Sequence, residues 1–143
     1  KLDAALSSSD AMKRYWAAMT CTAIGKEAAD LAPAVEPLLA DPVLMVRVRA
    51  AEFLGRIGVI NPQPTLIDVV NTTTNSVEAT EALNSIVWFK DFFKDRYAVQ
   101  RSDFHPKSNG ADVDARLNYI NGIPYPPKPS KTKKRKNKKA NNS

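Results

Sequence analysis

The chain nearly repeats itself after 33 residues. Sliding the sequence by that amount sets Arg14 on Arg47, Ala17-Ala18 on Ala50-Ala51 and Ile24-Gly25 on Ile57-Gly58. Ser8 falls on Asp41 at the same shift, just ahead of each helical run. One pattern used twice means one supersecondary unit stacked on another, because such a unit cannot bury its apolar face alone. The repeat predicts an all-α fold, a short α-α superhelix of about three helix pairs. Stacked arrays of this kind expose long surfaces suited to binding, so a scaffold is expected before any catalytic residue is considered.

Local signals place the elements. Asp10 is the expected N-cap of a helix from Ala11 to Ala23, since a carboxylate there accepts bonds from the free amides of the first turn. Met12, Tyr15, Trp16, Met19 and Ala23 share one face of a 3.6-residue period, and Gly25 supplies the stop. A second helix fits Leu31 to Ala40, with Pro33 in its first turn and Pro37 expected to kink or shorten it. Asp41 then reads as an N-cap followed by Pro42 at the first helical position, and Val43, Val46, Ala50, Phe53, Leu54 and Ile57 form a stripe closed by Gly58. Asn61-Pro62-Gln63-Pro64 reads as a turn into a short helix carrying Leu66, Ile67, Val69 and Val70. The polar loop Thr72 to Ser76 can cap a third stripe, Ala79, Ala82, Leu83, Ile86 and Phe89. That copy is offset by about 32 and lacks the Arg and the final Gly, as a closing repeat does.

Beyond Trp88 the pattern is lost. The aromatic run Trp88 to Phe93 is expected to extend the last helix, Asp103 to Ala111 to be irregular, and Asp112 to Ile120 to form a short helix ended by Asn121-Gly122. Ile123 to Pro129 should lie extended against a surface. The expected organisation is repeats over 1–98, a cap and extended Pro-rich wrap over 99–129, and a disordered basic tail over 130–143.

Charge follows the same division. The chain carries 21 Lys and Arg, 15 Asp and Glu, and a net charge of +6. Seven of those cations, Lys131, Lys133, Lys134, Arg135, Lys136, Lys138 and Lys139, lie in the tail. The remaining 14 face 15 acids, leaving a body near −1. Such a body offers no field for a nucleic-acid groove. The tail would contact anionic polymers or surfaces in a salt-dependent way, and without an aromatic residue it has nothing on which bases could stack. A single cysteine excludes an internal disulfide framework. No apolar stretch approaches the roughly 20 residues that span a bilayer. The opening Lys1-Leu2-Asp3-Ala4-Ala5-Leu6 reads like the end of a helix, as expected of a cut inside a larger protein, and leaves the compartment open.

The unit Leu39-x-Asp41-Pro42-x-x-x-Val46-Arg47-x-x-Ala50-Ala51-x-x-Leu54-Gly55-x-Ile57-Gly58 resembles the HEAT repeat in its short bacterial form. The resemblance covers residues 4–58 well and 66–89 weakly. It implies a capping role for Asp10 and Asp41 and an inter-repeat ladder role for Arg14 and Arg47. A second, narrower likeness lies in Tyr15-Trp16-Ala17-Ala18, Ala82-Leu83-Asn84, His105-Pro106 and Asp112-Val113-Asp114-Ala115-Arg116-Leu117. These look like the C-terminal helical extension of certain bacterial sulfatases. The likeness implies a secreted or periplasmic parent that hydrolyses sulfuric esters with calcium and a formylglycine. The formylglycine signature is a Cys or Ser, any residue, Pro or Ser, any residue, then Arg. Cys21 is followed by Thr22, Ala23, Ile24 and Gly25, so that signature is absent and the present segment is expected to be catalytically silent, with no cofactor of its own.

The remaining chemical candidates are few. Asp103, His105, Asp112 and Asp114 carry metal-ligand chemistry but no recognised spacing, and caps and turns account for them. Cys21 is expected to be a buried, unreactive thiol. Trp16, Trp88, Phe89, Phe92 and Phe93 are expected in the core, with an exposed ligand groove as the sharper alternative. Two functions remain open: an accessory domain packing on a parent catalytic domain or a protein partner, and a free-standing interaction scaffold whose basic tail holds anionic polymers or nucleic acid.

Overall fold

A computed structural model describes residues 1–125 of the chain. Helices recur from Leu2 to Ile120, and there is no strand among the described residues. The first pair is α1 (Leu2–Leu6) with α2 (Ala11–Ile24). The second packs a broken segment, which contains α3 (Ala32–Val35), against α4 (Leu44–Arg56). The third is α5 (Gln63–Thr72) with α6 (Ser76–Phe93), and α7 (Ala111–Ile120) follows after two single 3₁₀ turns.

Residue chemistry explains the boundaries. The Asp10 carboxylate accepts the Met12 amide at 2.9 Å at the start of α2, and Asn75 does the same for Val77 at the start of α6. α4 ends in a Schellman motif. Gly58, at φ +82°, lets the Val59 amide reach the Leu54 carbonyl at 2.9 Å. Gly122 repeats the device after α7, where the Ile123 amide reaches the Asn118 carbonyl.

Four local expectations need correction. The helix expected over Leu31 to Ala40 is 3₁₀ up to Leu31, α only over Ala32–Val35, then 3₁₀ again over Glu36–Ala40. Pro33 and Pro37 remove two amide donors in five residues, so the tighter turn takes over. Asp41 is not the N-cap of α4. The helix starts at Leu44 after Val43, and the Asp41 carboxylate accepts the Val43 amide from outside it. Gly110 stands ahead of α7, so neither Asp112 nor Asp114 caps it. The stripe expected on α2 is also rotated. Ala17, Ala18 and Cys21 are buried, whereas Met12 is 61% exposed, Trp16 55% and Met19 37%. The small side chains let α1 and α4 approach α2 closely and push the large ones outward.

Two clusters make up the core, and α4 belongs to both. Val46, Ala50, Phe53 and Leu54 pack towards α2 with Leu6, Cys21, Val35 and Leu38. Val48 and Ala51 pack towards α5 and α6 with Leu66, Leu83, Ile86 and Phe89. Gly55 marks the closest approach: a Cβ there would stand 2.7 Å from the Pro62 side chain and 2.8 Å from the Phe89 ring.

The repeat continues structurally where the sequence pattern stops. Val113, Leu117 and Ile120 of α7 complete the second cluster. α7 runs alongside α6 in the same direction, since Arg116 meets Asn84 and Tyr119 meets Asp91. It therefore occupies the place of a fourth second-helix, after α2, α4 and α6. The 3₁₀ turns Lys94–Tyr97 and Arg101–Asp103 stand where a paired first helix would be. Side-chain hydrogen bonds recur at the repeat interval. Arg49 with Glu81 and Asn71 with Asp103 are 32 apart, Ser85 with Glu52 33, and Gln63 with Tyr97 34.

Candidate functional site

The parallel second helices place their N-terminal halves side by side. Between them lies an open groove of about 380 Å³, lined by Met12 and Tyr15 of α2, by Val43, Met45, Val46 and Arg49 at and within α4, and by Val77, Glu78 and Glu81 of α6. Its rim is apolar and uncovered: Met12 is 61% exposed, Val43 40% and Val77 69%. Large apolar side chains grouped in the open, rather than scattered, mark an interaction surface.

Arg49 forms the groove's polar floor. It donates to both Glu52 oxygens at 2.9 Å, to the Tyr15 hydroxyl at 3.1 Å and to Glu81 at 3.1 Å. Its guanidinium carbon lies 5.2 Å from the Tyr15 ring centre. Burial works against the Arg49 charge, but the Glu52 carboxylate and these hydrogen bonds outweigh it and hold the pKa above the ordinary arginine value. Ser85 donates to the same Glu52, so one guanidinium and its acceptors tie α2, α4 and α6 together. Sequence reading singled out Arg47 and passed over Arg49. The available signal was an acid one repeat away, since Glu81 lies 32 residues beyond Arg49.

The four repeat residues fall outside the groove, at the ends of the same helices. Arg14 grips Asp41 with two bonds, Nε to Oδ2 at 2.6 Å and Nη2 to Oδ1 at 3.0 Å, and also donates to the Ser8 carbonyl at 2.8 Å. Asp41 is 5% exposed. Burial alone would raise its carboxyl pKa, but the Arg14 hydrogen bonds and the Val43 amide outweigh it and hold the group below the usual carboxylate range. The hydrogen bond to Asp41 likewise raises Arg14 above its ordinary value. Arg47 donates to the Asp41 carbonyl and, at 3.3 Å, to the exposed Asp68. Arg14 thus reaches the next unit through Asp41, and Arg47 reaches the unit after it through Asp68. Asp10 stays local to its own helix.

Asp103, His105, Asp112 and Asp114 are not brought together. The Asp103 carboxylate accepts the Gln100 amide, the His105 amide donates to Asn71, and Asp112 pairs with Arg116 at 3.3 Å. No group of three potential metal ligands occurs among the described residues. Cys21 is fully buried, and burial pushes its thiol pKa up. The five aromatics do not form one groove. Trp16 packs edge-on against Tyr15. Trp88 stacks on Phe92 at 4.6 Å under the Arg56 guanidinium at 4.2 Å, and Phe89 is core. The seven cations of residues 131–139 lie outside the described residues. Among the described residues, no helix is long and apolar enough to cross a membrane.

No curated protein and no solved structure matches the chain. The family model for HEAT repeats matches residues 1–86, more than half of the 143. With its helix pairs, its 33-residue offset and that match in agreement, the chain belongs to the HEAT-repeat family.

Proposed function

We propose that this chain is a noncatalytic helical-repeat interaction module that engages a protein surface through the groove across α2, α4 and α6. The observation that carries the reading is the uncovered rim of Met12, Val43 and Val77 above the Arg49 floor. Burying such a rim yields about 25 cal/mol per Å² of apolar surface, which a partner recovers and solvent does not. The ion pairs Arg14–Asp41 and Arg49–Glu52 serve the fold that presents it.

The more specific form of this reading makes the module the C-terminal end of a sulfatase, packed on its catalytic domain. It is supported by the likeness of Tyr15 to Ala18, Ala82 to Asn84, His105-Pro106 and Asp112 to Leu117, and calcium would belong to that parent. The alternative is a free-standing scaffold whose Lys131 to Lys139 tail holds anionic polymers without selectivity. Peptide mass spectrometry of the native polypeptide separates them: a formylglycine peptide upstream of Lys1 supports the parent enzyme, and a native start near Lys1 the scaffold.

The interaction reading itself is tested with a photo-cross-linking amino acid in the native protein, placed at Val77 or at the exposed Ser102 far along the chain. Cross-links to a partner or parent domain from position 77 and not from 102 are expected. The reverse pattern would remove the groove from the account.

A further inference from the structure

We propose that Asn109 is a modification site: its side-chain amide is lost through ring closure by Gly110, and the link reopens largely as isoaspartate, lengthening the backbone that feeds α7. The chain carries its own comparison, because a second Asn-Gly step, Asn121-Gly122, stands at the other end of the same helix.

The reaction needs an asparagine in solvent, a following residue without a Cβ to obstruct the ring, and a following amide nitrogen that no acceptor holds. The Gly110 nitrogen gives up its proton to hydroxide and attacks Cγ of Asn109. The bond from Cγ to Nδ2 breaks, and the side-chain nitrogen leaves as ammonia, which closes a five-membered succinimide. Water then opens the ring. Cleavage between Cγ and the Gly110 nitrogen leaves aspartate. Cleavage between the Asn109 carbonyl carbon and that nitrogen leaves isoaspartate, with the chain routed through Cβ and Cγ. Water and hydroxide are the only co-reactants.

Residue 109 meets these conditions. Asn109 is exposed and lies in a stretch without helix or turn. Gly110 stands at φ +146° and ψ 156°, a region open essentially to glycine alone, so this position excludes the side chains that slow ring closure. Among the described residues no backbone carbonyl receives the Gly110 amide, and α7 begins without a side-chain cap. Residue 121 does not meet them. Asn121 is exposed too, but the Gly122 amide donates to the Tyr119 carbonyl at 3.0 Å, and the Ile123 amide, bonded to Asn118 at 2.9 Å, holds the glycine from its far side. Asn121 has a ψ of 11°, which sets the Gly122 nitrogen beside the Asn121 amide nitrogen and away from Cβ. Ring closure there requires the end of α7 to open first.

The surroundings of Asn109 fix what a longer link does. Ser108 is 6% exposed and Val113 1%, so the chain is anchored on both sides. Gly110 itself faces Ser76: a Cβ on it would stand 3.8 Å from the Ser76 Cβ. An extra backbone carbon between those anchors displaces one of them. The helix that gives way is α7, which packs chiefly on α6.

The test incubates the full chain in mildly alkaline buffer and follows Asn109 and Asn121 by peptide mass spectrometry, with electron-transfer fragmentation to tell isoaspartate from aspartate. A gain of one dalton is expected at least ten-fold faster at Asn109 than at Asn121, with isoaspartate the larger product. In guanidinium chloride, where neither amide is held, the two rates should agree within a few-fold. The exposed variant Asn109→Gln, whose ring would be six-membered, should lose this native mass gain and keep the melting temperature. The isoaspartyl protein should exchange amide hydrogens over Ala111–Ile120 several-fold faster than the unmodified one. Native conversion at Asn121 as fast as at Asn109, or none at Asn109 while both convert in denaturant, would overturn the site. Unchanged exchange over α7 in the isoaspartyl protein would overturn its effect on the stack.

Discussion

At the scale of single residues, the stack is pinned by a few charged side chains placed one repeat apart. Asp41 carries the most: its carboxylate holds Arg14 and the Val43 amide, and its carbonyl accepts Arg47. Asp41→Asn is expected to lower the melting temperature at pH 7. Its native pKa is depressed, so the wild-type charge contributes stability above the unfolded value of about 3.9, and that contribution is lost as pH falls through the native pKa. The melting difference between the two proteins should therefore narrow below about pH 4; a difference independent of pH would contradict the ion-pair account. Arg47 makes one partly buried bond and one to exposed Asp68, so Arg47→Ala is expected to cost only about 1 kcal/mol in denaturant titration. The sequence displayed Arg14, Arg47 and Asp41 through the offset itself. It did not display their partners. Asp41 looked like a cap because Pro42 follows it, and only the three-dimensional approach of α2 shows the carboxylate turned towards Arg14.

At the scale of elements, the long, regular helices were legible and the irregular ones were not. α6 matched its apolar stripe, and α4 matched its own except at Val43, which stands exposed ahead of the helix, because both helices are buried on two sides, which leaves little choice of face. α2 packs on α1 and on one second helix, α4, with no second helix on its other side, so its methionines and Trp16 satisfied a helical period while facing outward, and the alanines that make the contact carried no strong signal. The segment between α2 and α4 breaks further than the kink expected at Pro37, because Pro33 and Pro37 together leave only Ala32–Val35 as α-helix. α7 was placed as a helix, but its role was hidden. Nothing in Asp112 to Ile120 copies the earlier units, yet Leu117, 4% exposed, sits in the core with Val113 and Ile120. Leu117→Ala should cost about 2–4 kcal/mol and lower a single cooperative transition. An early, separate unfolding step of the C-terminal segment would contradict its membership of the stack.

At the scale of the whole molecule, charge is divided between nearly neutral repeats and a strongly basic terminal sequence. The repeats offer a shaped, apolar and mildly acidic groove, and residues 131–139 carry seven cations. Replacing the seven cations of that segment with serine is expected to abolish retention on a heparin column at low salt and to leave groove binding within two-fold. Retention by the substituted protein would place anion binding in the repeats. The fold class was legible throughout because a period of 33 admits few architectures. The groove was not, since it is made from three units that no single repeat contains, and its lining mixes residues of the pattern with residues that break it. The most direct test of the interaction surface is amide hydrogen exchange on the chain alone, compared with the chain bound to the protein that cross-links from position 77. The account predicts added protection over the first turns of α2, α4 and α6, together at Ala11 to Tyr15, Leu44 to Arg47 and Ser76 to Thr80. Unchanged exchange at those three sites, with protection gained on α5 or around Arg101 to Asp103 instead, would contradict it.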